Sequence, residues 1–364
     1  MCARAIKSEA ILTTGILPTI NADRCVHGRS PIAQCSACAV ACPRSALELA
    51  DEGLIFDEDL CDGCALCAPA CPEQAIDVGH AATPYVGAPV GADRAFVACE
   101  KVVAHGETGV ITCLHALSTT QLARLHAAGI GTLVVAEAEC RSCTRHHGET
   151  LSNRVSDLTR LLNDRGLAPF KIRRLDATTW REERDDAGRV TRRSLFRSAF
   201  GSRSASRTGQ EDTTETTPNG IATADFLLGA RDRATIAALS PTIDQSTCVA
   251  CGACVAVCAH GALRLSKRND DKDRYEINAT LCTGCALCVD SCEPGAISLL
   301  AWGDAHPPPV QLTAGKCRIC SSPFHVVAQS AVSNSAVSTP AASTSVCHIC
   351  AAKTDRQKLF QVQP

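Results

Sequence analysis

The stretch that most constrains this chain is Cys61-Asp62-Gly63-Cys64-Ala65-Leu66-Cys67-Ala68-Pro69-Ala70-Cys71, four thiols at C-x2-C-x2-C-x3-C with Pro72 behind the last. Three closely spaced thiolates can grip one metal centre, while the fourth, set one residue further along, points away and serves a neighbouring one. Such a run needs a partner. Cys25, Cys35, Cys38 and Cys42-Pro43 supply it upstream, and the pattern returns as Cys248, Cys251, Cys254 and Cys258 followed by Cys282, Cys285, Cys288 and Cys292. Pro18-Thr19-Ile20 precedes Cys25-Val26 in the register in which Pro241-Thr242-Ile243 precedes Cys248-Val249, so duplication is the simplest account.

Metal ligation and disulfides are the two readings of 25 cysteines in 364 residues. Disulfide scaffolds are usually small and secreted. This chain opens MCARAIKSEAILTTGILP, without a basic start followed by a long apolar core, and the expectation is a cytoplasmic, reducing home. No run approaches the roughly 18 apolar residues of a membrane span, so direct membrane insertion is not expected. The formal net charge is -2. Each cubane cluster on four thiolates would add about two negative charges, which argues against nucleic acid and for docking on basic surfaces of redox proteins.

On these runs the segment resembles a two-cluster bacterial-type ferredoxin, over about 60 residues in each half of the chain. The crossed ligation of that family implies one [4Fe-4S] cluster on Cys25, Cys35, Cys38 and Cys71 and another on Cys61, Cys64, Cys67 and Cys42. In the second module it implies Cys248, Cys251, Cys254 with Cys292, and Cys282, Cys285, Cys288 with Cys258. Cys25 stands ten positions before Cys35, so His27-Gly28-Arg29-Ser30-Pro31 reads as an inserted loop. If Cys25 is instead a plain buried thiol, that cluster is a three-iron form or recruits His27. Ala259 and Glu293 replace the proline that follows the fourth cysteine in the family pattern, which bears on packing and potential and not on ligation. Ala46-Leu47-Glu48-Leu49 and Ala75-Ile76-Asp77-Val78 alternate as half-buried strands do, and are expected to pair with each other over the clusters. The spacer Leu263 to Leu281 reads as a polar hairpin.

Between the modules the pattern changes. Ala95–Ala98, Val110–Thr112, Thr132–Ala136 and Lys171–Leu175 read as strands. Helices are expected over Thr119–Ala128, capped by Ser118, and over Thr150–Asn163 with Leu151, Val155, Leu158 and Leu162 on one face. Alternating strands and helices favour a parallel α/β sheet. Cys99, Cys113 and Cys140 fall at or just after strand carboxyl ends, with Cys143 one turn on, at the edge where such sheets gather ligands. Four converging thiols there would hold zinc, a two-iron or a four-iron cluster, or act as a redox pair. Alternatively Cys99 and Cys113 are merely buried, and only Cys140 and Cys143 matter. The domain bears a faint similarity to small α/β iron-sulfur subunits of hydrogenase and heterodisulfide reductase assemblies. Gly129-Ile130-Gly131 follows a helix and precedes a strand, the reverse of a phosphate loop, and Gly129 reads as a helix C-cap.

Residues 177–240 read as a linker, since Gly201 to Gly220 is nearly devoid of apolar side chains. Thr191–Arg197 resembles a twin-arginine export signal but lies in mid-chain without an apolar core behind it. A short amphipathic helix using Leu195, Phe196, Ala199 and Phe200 fits better. In the tail, Cys317-x2-Cys320 and Cys347-x2-Cys350 form two knuckles suited to a zinc ribbon, or to a rubredoxin-like iron or a further cluster. His325 and His348 are not expected among the ligands.

The expected architecture is α+β. Two bacterial-type 2[4Fe-4S] ferredoxin modules at 18–80 and 241–302 flank a parallel α/β domain at 92–176, with a zinc-ribbon-like tail at 310–355. The resemblance implies a non-catalytic electron-transfer subunit in a hetero-oligomeric complex. Its partner would be a redox protein or a catalytic subunit of the molybdenum or tungsten type, such as formate dehydrogenase. A thiol/disulfide or sulfur-compound reductase using the middle cysteines, and a zinc-binding interaction protein, are the rival readings.

Overall fold

Thr19–Ile20 (β1) is extended behind Pro18, whose ring fixes φ, and it pairs antiparallel with Ile76–Asp77 (β4) through Thr19↔Asp77 and Ile20↔Ile76. Ile236–Ile243 (β9) and Ile297–Asp304 (β12) repeat that closure through Thr242↔Ser298 and Ile243↔Ile297. The two Pro-Thr-Ile segments are therefore equivalent down to their strand register. Inside each pair lies a hairpin, Leu47–Ala50 (β2) with Gly53–Phe56 (β3) and Leu263–Ser266 (β10) with Arg274–Ile277 (β11).

The computed structural model describes residues 17–50, 53–79, 93–145, 150–188, 233–267, 273–328 and 346–352. It divides into two compact units. The first comprises residues 1–25, 36–156 and 170–211, and the second 26–35, 157–169 and 212–364. The expected pairing of Leu47–Leu49 with Ile76–Val78 does not form, because each strand finds a different partner. The chain turns back so soon after Ala50 that β3 closes on β2 locally, and β4 is left to β1.

In the middle of the first unit, Arg94–Cys99 (β5), Val110–Ile111 (β6), Thr132–Ala136 (β7) and Lys171–Leu175 (β8) form a parallel sheet in the order β6-β5-β7-β8. Phe96 and Val97 are both fully buried, as in a strand covered on two faces. Thr119–Ala127 (α1) links β6 to β7, and Leu151–Asp164 (α2) precedes β8. Leu151, Val155, Leu158 and Leu162 are all buried. A capping box starts α1: Ser118 Oγ accepts from Gln121 N at 3.2 Å, and Gln121 Oε1 accepts from Ser118 N at 2.7 Å. Gly129, at φ +89°, ends it by donating to His126 O at 2.9 Å, a left-handed geometry that glycine adopts without strain. Ser118→Ala is expected to cost about 1 kcal/mol, read as a lower urea midpoint at unchanged slope.

The span expected as a linker, 177–240, is ordered at both ends, where a helix opens it and the first residues of β9 close it. Ala177–Gly188 (α3) is a helix, and its Trp180 is wholly buried against the sheet, donating from Nε1 to Val134 O at 3.1 Å. Trp180 meets Phe96 edge-on at 6.4 Å and 69°. Asp176 opens the helix by accepting from Thr179 N at 3.0 Å and Thr179 Oγ1 at 2.6 Å. The twin-arginine-like segment and the apolar-poor stretch beyond it lie outside the described residues.

The tail is not a separate module either. Val310–Lys316 (β13) pairs with β11 through Arg274↔Gln311 and Tyr275↔Val310, and Pro323–Val327 (β14) pairs with β13. The sheet β10-β11-β13-β14 thus joins the segments expected as 241–302 and 310–355.

Candidate metal centres

Two of the four expected cysteine sets line cavities, each with three thiols from one run and the fourth from the other. In the first unit a cavity of about 380 Å³, counting its open mouth, is lined by Cys42, Cys61, Cys64 and Cys67, with Leu47, Phe56 and Val78 as apolar wall. In the second unit a cavity of about 320 Å³, counted the same way, is lined by Cys248, Cys251, Cys254 and Cys292, with Tyr275 and Ile297. Cys258 lies with Cys282, Cys285 and Cys288: burial pushes the Cys288 thiol up to about 12, and negative charge on those three adds to the rise. Cys38 is buried in one core with Cys64 and Cys67, and Cys71 packs against it. Cys25 is half-buried, with its N–H on Asn21 O at 3.0 Å. Cys35 belongs to the insert at residues 26–35 that counts with the second unit. There His27 Nε2 lies 2.7 Å from Cys35 O, and Gln34 N donates to Asp290 Oδ2 at 3.0 Å.

The donor set and the backbone around it fit anionic iron-sulfur clusters. Burial pushes the Cys64, Cys67 and Cys254 thiols up to about 12. In three runs the residues on both sides of the second cysteine are left-handed: Gly63 and Ala65, Ala250 and Gly252, Gly284 and Ala286. Left-handed alanines are costly, and such turns aim successive amides at one point, the geometry that receives an anion. Gly284 has a second constraint, since a Cβ there would lie 2.4 Å from Leu239 Cδ1. Backbone amides also reach the sulfurs of the fourth cysteines, Ala46 N to Cys42 Sγ and Ala75 N to Cys71 Sγ at 3.3 Å, and Ala296 N to Cys292 Sγ at 3.2 Å. Glu293 in place of proline leaves that bond intact.

All four middle cysteines come together at the carboxyl edge of the parallel sheet. Cys99 ends β5, Cys113 lies two residues past β6, and Cys140 lies in the turn after β7. The strand order reverses at β5, where a crevice opens in such sheets. Burial pushes the Cys113 thiol up to about 12, with the charges of Cys99, Cys140 and Cys143 adding to the rise. Four residues at this edge escape sequence reasoning: Asp62, Glu100, Thr112 and Arg145. Nothing in their local pattern marks a contact spanning 83 positions, from Arg145 Nε to Asp62 Oδ2 at 2.9 Å.

The tail brings together a tighter set. The sulfurs of Cys317, Cys320, Cys347 and Cys350 all lie within 4.8 Å of one another, with Cys320 and Cys347 at 3.8 Å. Metal-sulfur bonds of 2.3 Å in a tetrahedron require an edge of about 3.8 Å. Amides of Cys320 and Cys347 draw the Cys317 thiol down to about 6. His325 is held by Asp273 at 2.7 Å, and His348 is exposed.

The sequence of residues 247–296 matches the family model of a 4Fe-4S dicluster domain, and residues 54–77 match that of a 4Fe-4S binding domain. No curated protein matches the chain. Two ferredoxin-type 4Fe-4S domains support an iron-sulfur protein of the electron-transfer class. Among the described residues no helix is long and apolar enough to cross a membrane.

Proposed function

We propose that the chain relays single electrons through four [4Fe-4S] clusters, two in each duplicated module, to or from a partner oxidoreductase. The observation that carries this reading is the composition of the two cavities, each walled by three cysteines of one run and the fourth of the other. A bound cubane supplies reversible one-electron chemistry. The chain's residues ligate it, keep water away with Leu47, Phe56, Tyr275 and Ile297, and place amides on the sulfurs, which makes added negative charge less costly. The tail cysteines form a closed four-sulfur site suited to zinc, with the task of ordering the tail. The partner class, molybdenum or tungsten enzymes such as formate dehydrogenase, follows from the resemblance of the modules to subunits of those assemblies. A reducing cytoplasm suits so many metal-binding thiolates.

Anaerobically purified chain is expected to be brown and to carry at least about sixteen irons, four per cubane. Dithionite should produce paramagnetic signals of reduced clusters, and affinity purification from its native host should retain the catalytic subunit. A colourless protein holding zinc alone overturns the reading.

A further inference from the structure

We propose that the first unit holds a further redox centre, an iron-sulfur cluster on Cys99, Cys113, Cys140 and Cys143. In this arrangement Arg145 is the positioning residue that fixes it beside the Cys42, Cys61, Cys64 and Cys67 set, so that the two exchange electrons directly. The inference rests on the reading above for its neighbour.

The donor set favours a cluster over a lone ion: four thiols stand here beside Cys42, Cys61, Cys64 and Cys67, a set of the same kind. The position favours exchange with the neighbour. Cys113 is buried in the same core as Cys64 and Cys67, and Thr112 Oγ1 donates to Cys64 O at 3.4 Å.

Arg145 stitches the two ligand sets together. Its side chain is 10% exposed. It donates from Nε to Asp62 Oδ2 at 2.9 Å and from Nη2 to Asp62 O at 3.2 Å. On the other side Nη1 donates to Glu100 Oε1 at 2.6 Å and to Thr112 O at 3.2 Å. Asp62 stands between Cys61 and Cys64 and accepts from Cys64 N at 3.2 Å, while Glu100 and Thr112 adjoin Cys99 and Cys113. Two anionic centres so placed repel each other, and a guanidinium that stays charged at every accessible pH offsets that repulsion. One electron passes from the reduced set to the oxidised one. No proton or heavy atom moves with it, and a low-potential one-electron donor replaces it.

The test uses the full chain loaded anaerobically. Cys140 and Cys143 are half-buried, so Cys140→Ser with Cys143→Ser does not hollow the core. That variant is expected to lose about two to four irons per chain, keep the rest, and lose the magnetic broadening that two neighbouring reduced centres produce. Arg145→Gln is expected to keep its iron but to make both centres about tenfold harder to reduce, a fall of 59 mV for a one-electron couple, with Arg145→Lys recovering part of it. Unchanged iron in the double variant, loss of a single zinc instead, or a pair of thiols that cycles to a disulfide without metal overturns the proposal. So do unshifted potentials in Arg145→Gln. Full iron in the double variant leaves the four-cluster reading standing, whereas wild-type chain without iron removes both.

Discussion

Stripping iron from the loaded chain with an anaerobic chelator should unfold the first duplicated module while the parallel sheet stays folded. Cysteines make up much of that module's buried core: Cys38, Cys64 and Cys67 lie among Leu47, Leu66 and Ile76, and its strands β1 and β4 are two residues long. So little apolar area cannot offset the chain entropy of ordering the module. Metal binding in comparable small domains supplies about 10–16 kcal/mol of folding free energy. The left-handed Ala65 adds strain that a bound centre would help offset. The sheet has a conventional core in Phe96, Leu133, Val134 and Trp180 and does not depend on metal to the same degree. Hydrogen exchange on chelated protein should show lost protection in β2 and β3 and retained protection in β5 and β7. Equal loss in both would contradict this account.

Trp180→Ala should be the most damaging single change in the sheet domain. The indole is fully buried on Phe96, beneath the guanidinium of Arg184 at 4.9 Å. Its removal is expected to cost about 3–5 kcal/mol through lost contact and the cavity left behind, and Val134 O also loses its donor. The result should be a large drop in denaturation midpoint and release of α3 from the sheet, with iron in the duplicated modules unchanged. Trp180→Phe should recover part of the packing and none of the hydrogen bond. An unaltered midpoint in Trp180→Ala would mean that α3 contributes little to the fold.

Cysteine spacing made the cavities legible because ligation geometry is local and repeats. The middle strands were legible for a similar reason, since Phe96, Val97, Leu133 and Val134 form short apolar runs between polar turns. Helix α3 was obscured by its composition. One Trp among Arg, Glu and Asp is its single fully buried side chain, too weak a pattern to set against the charged stretch that follows. Strand partners in the first module are not legible in the sequence, because alternation marks which residues form strands but says nothing of which strands meet. Arg145 was invisible for a stronger reason. Its role depends on partners at positions 62, 100 and 112, which only the folded chain brings to one place.

Tyr275 occupies two structures at once: it walls the cavity of Cys248, Cys251, Cys254 and Cys292, and it is the sheet neighbour of Val310 on the strand that runs down to Cys317. A metal held by the tail cysteines would therefore also steady one wall of that cavity, and energetic linkage of this sort acts equally in both directions. The first metal to arrive would lower the cost of admitting the second, and a chain starved of either would tend to surrender both.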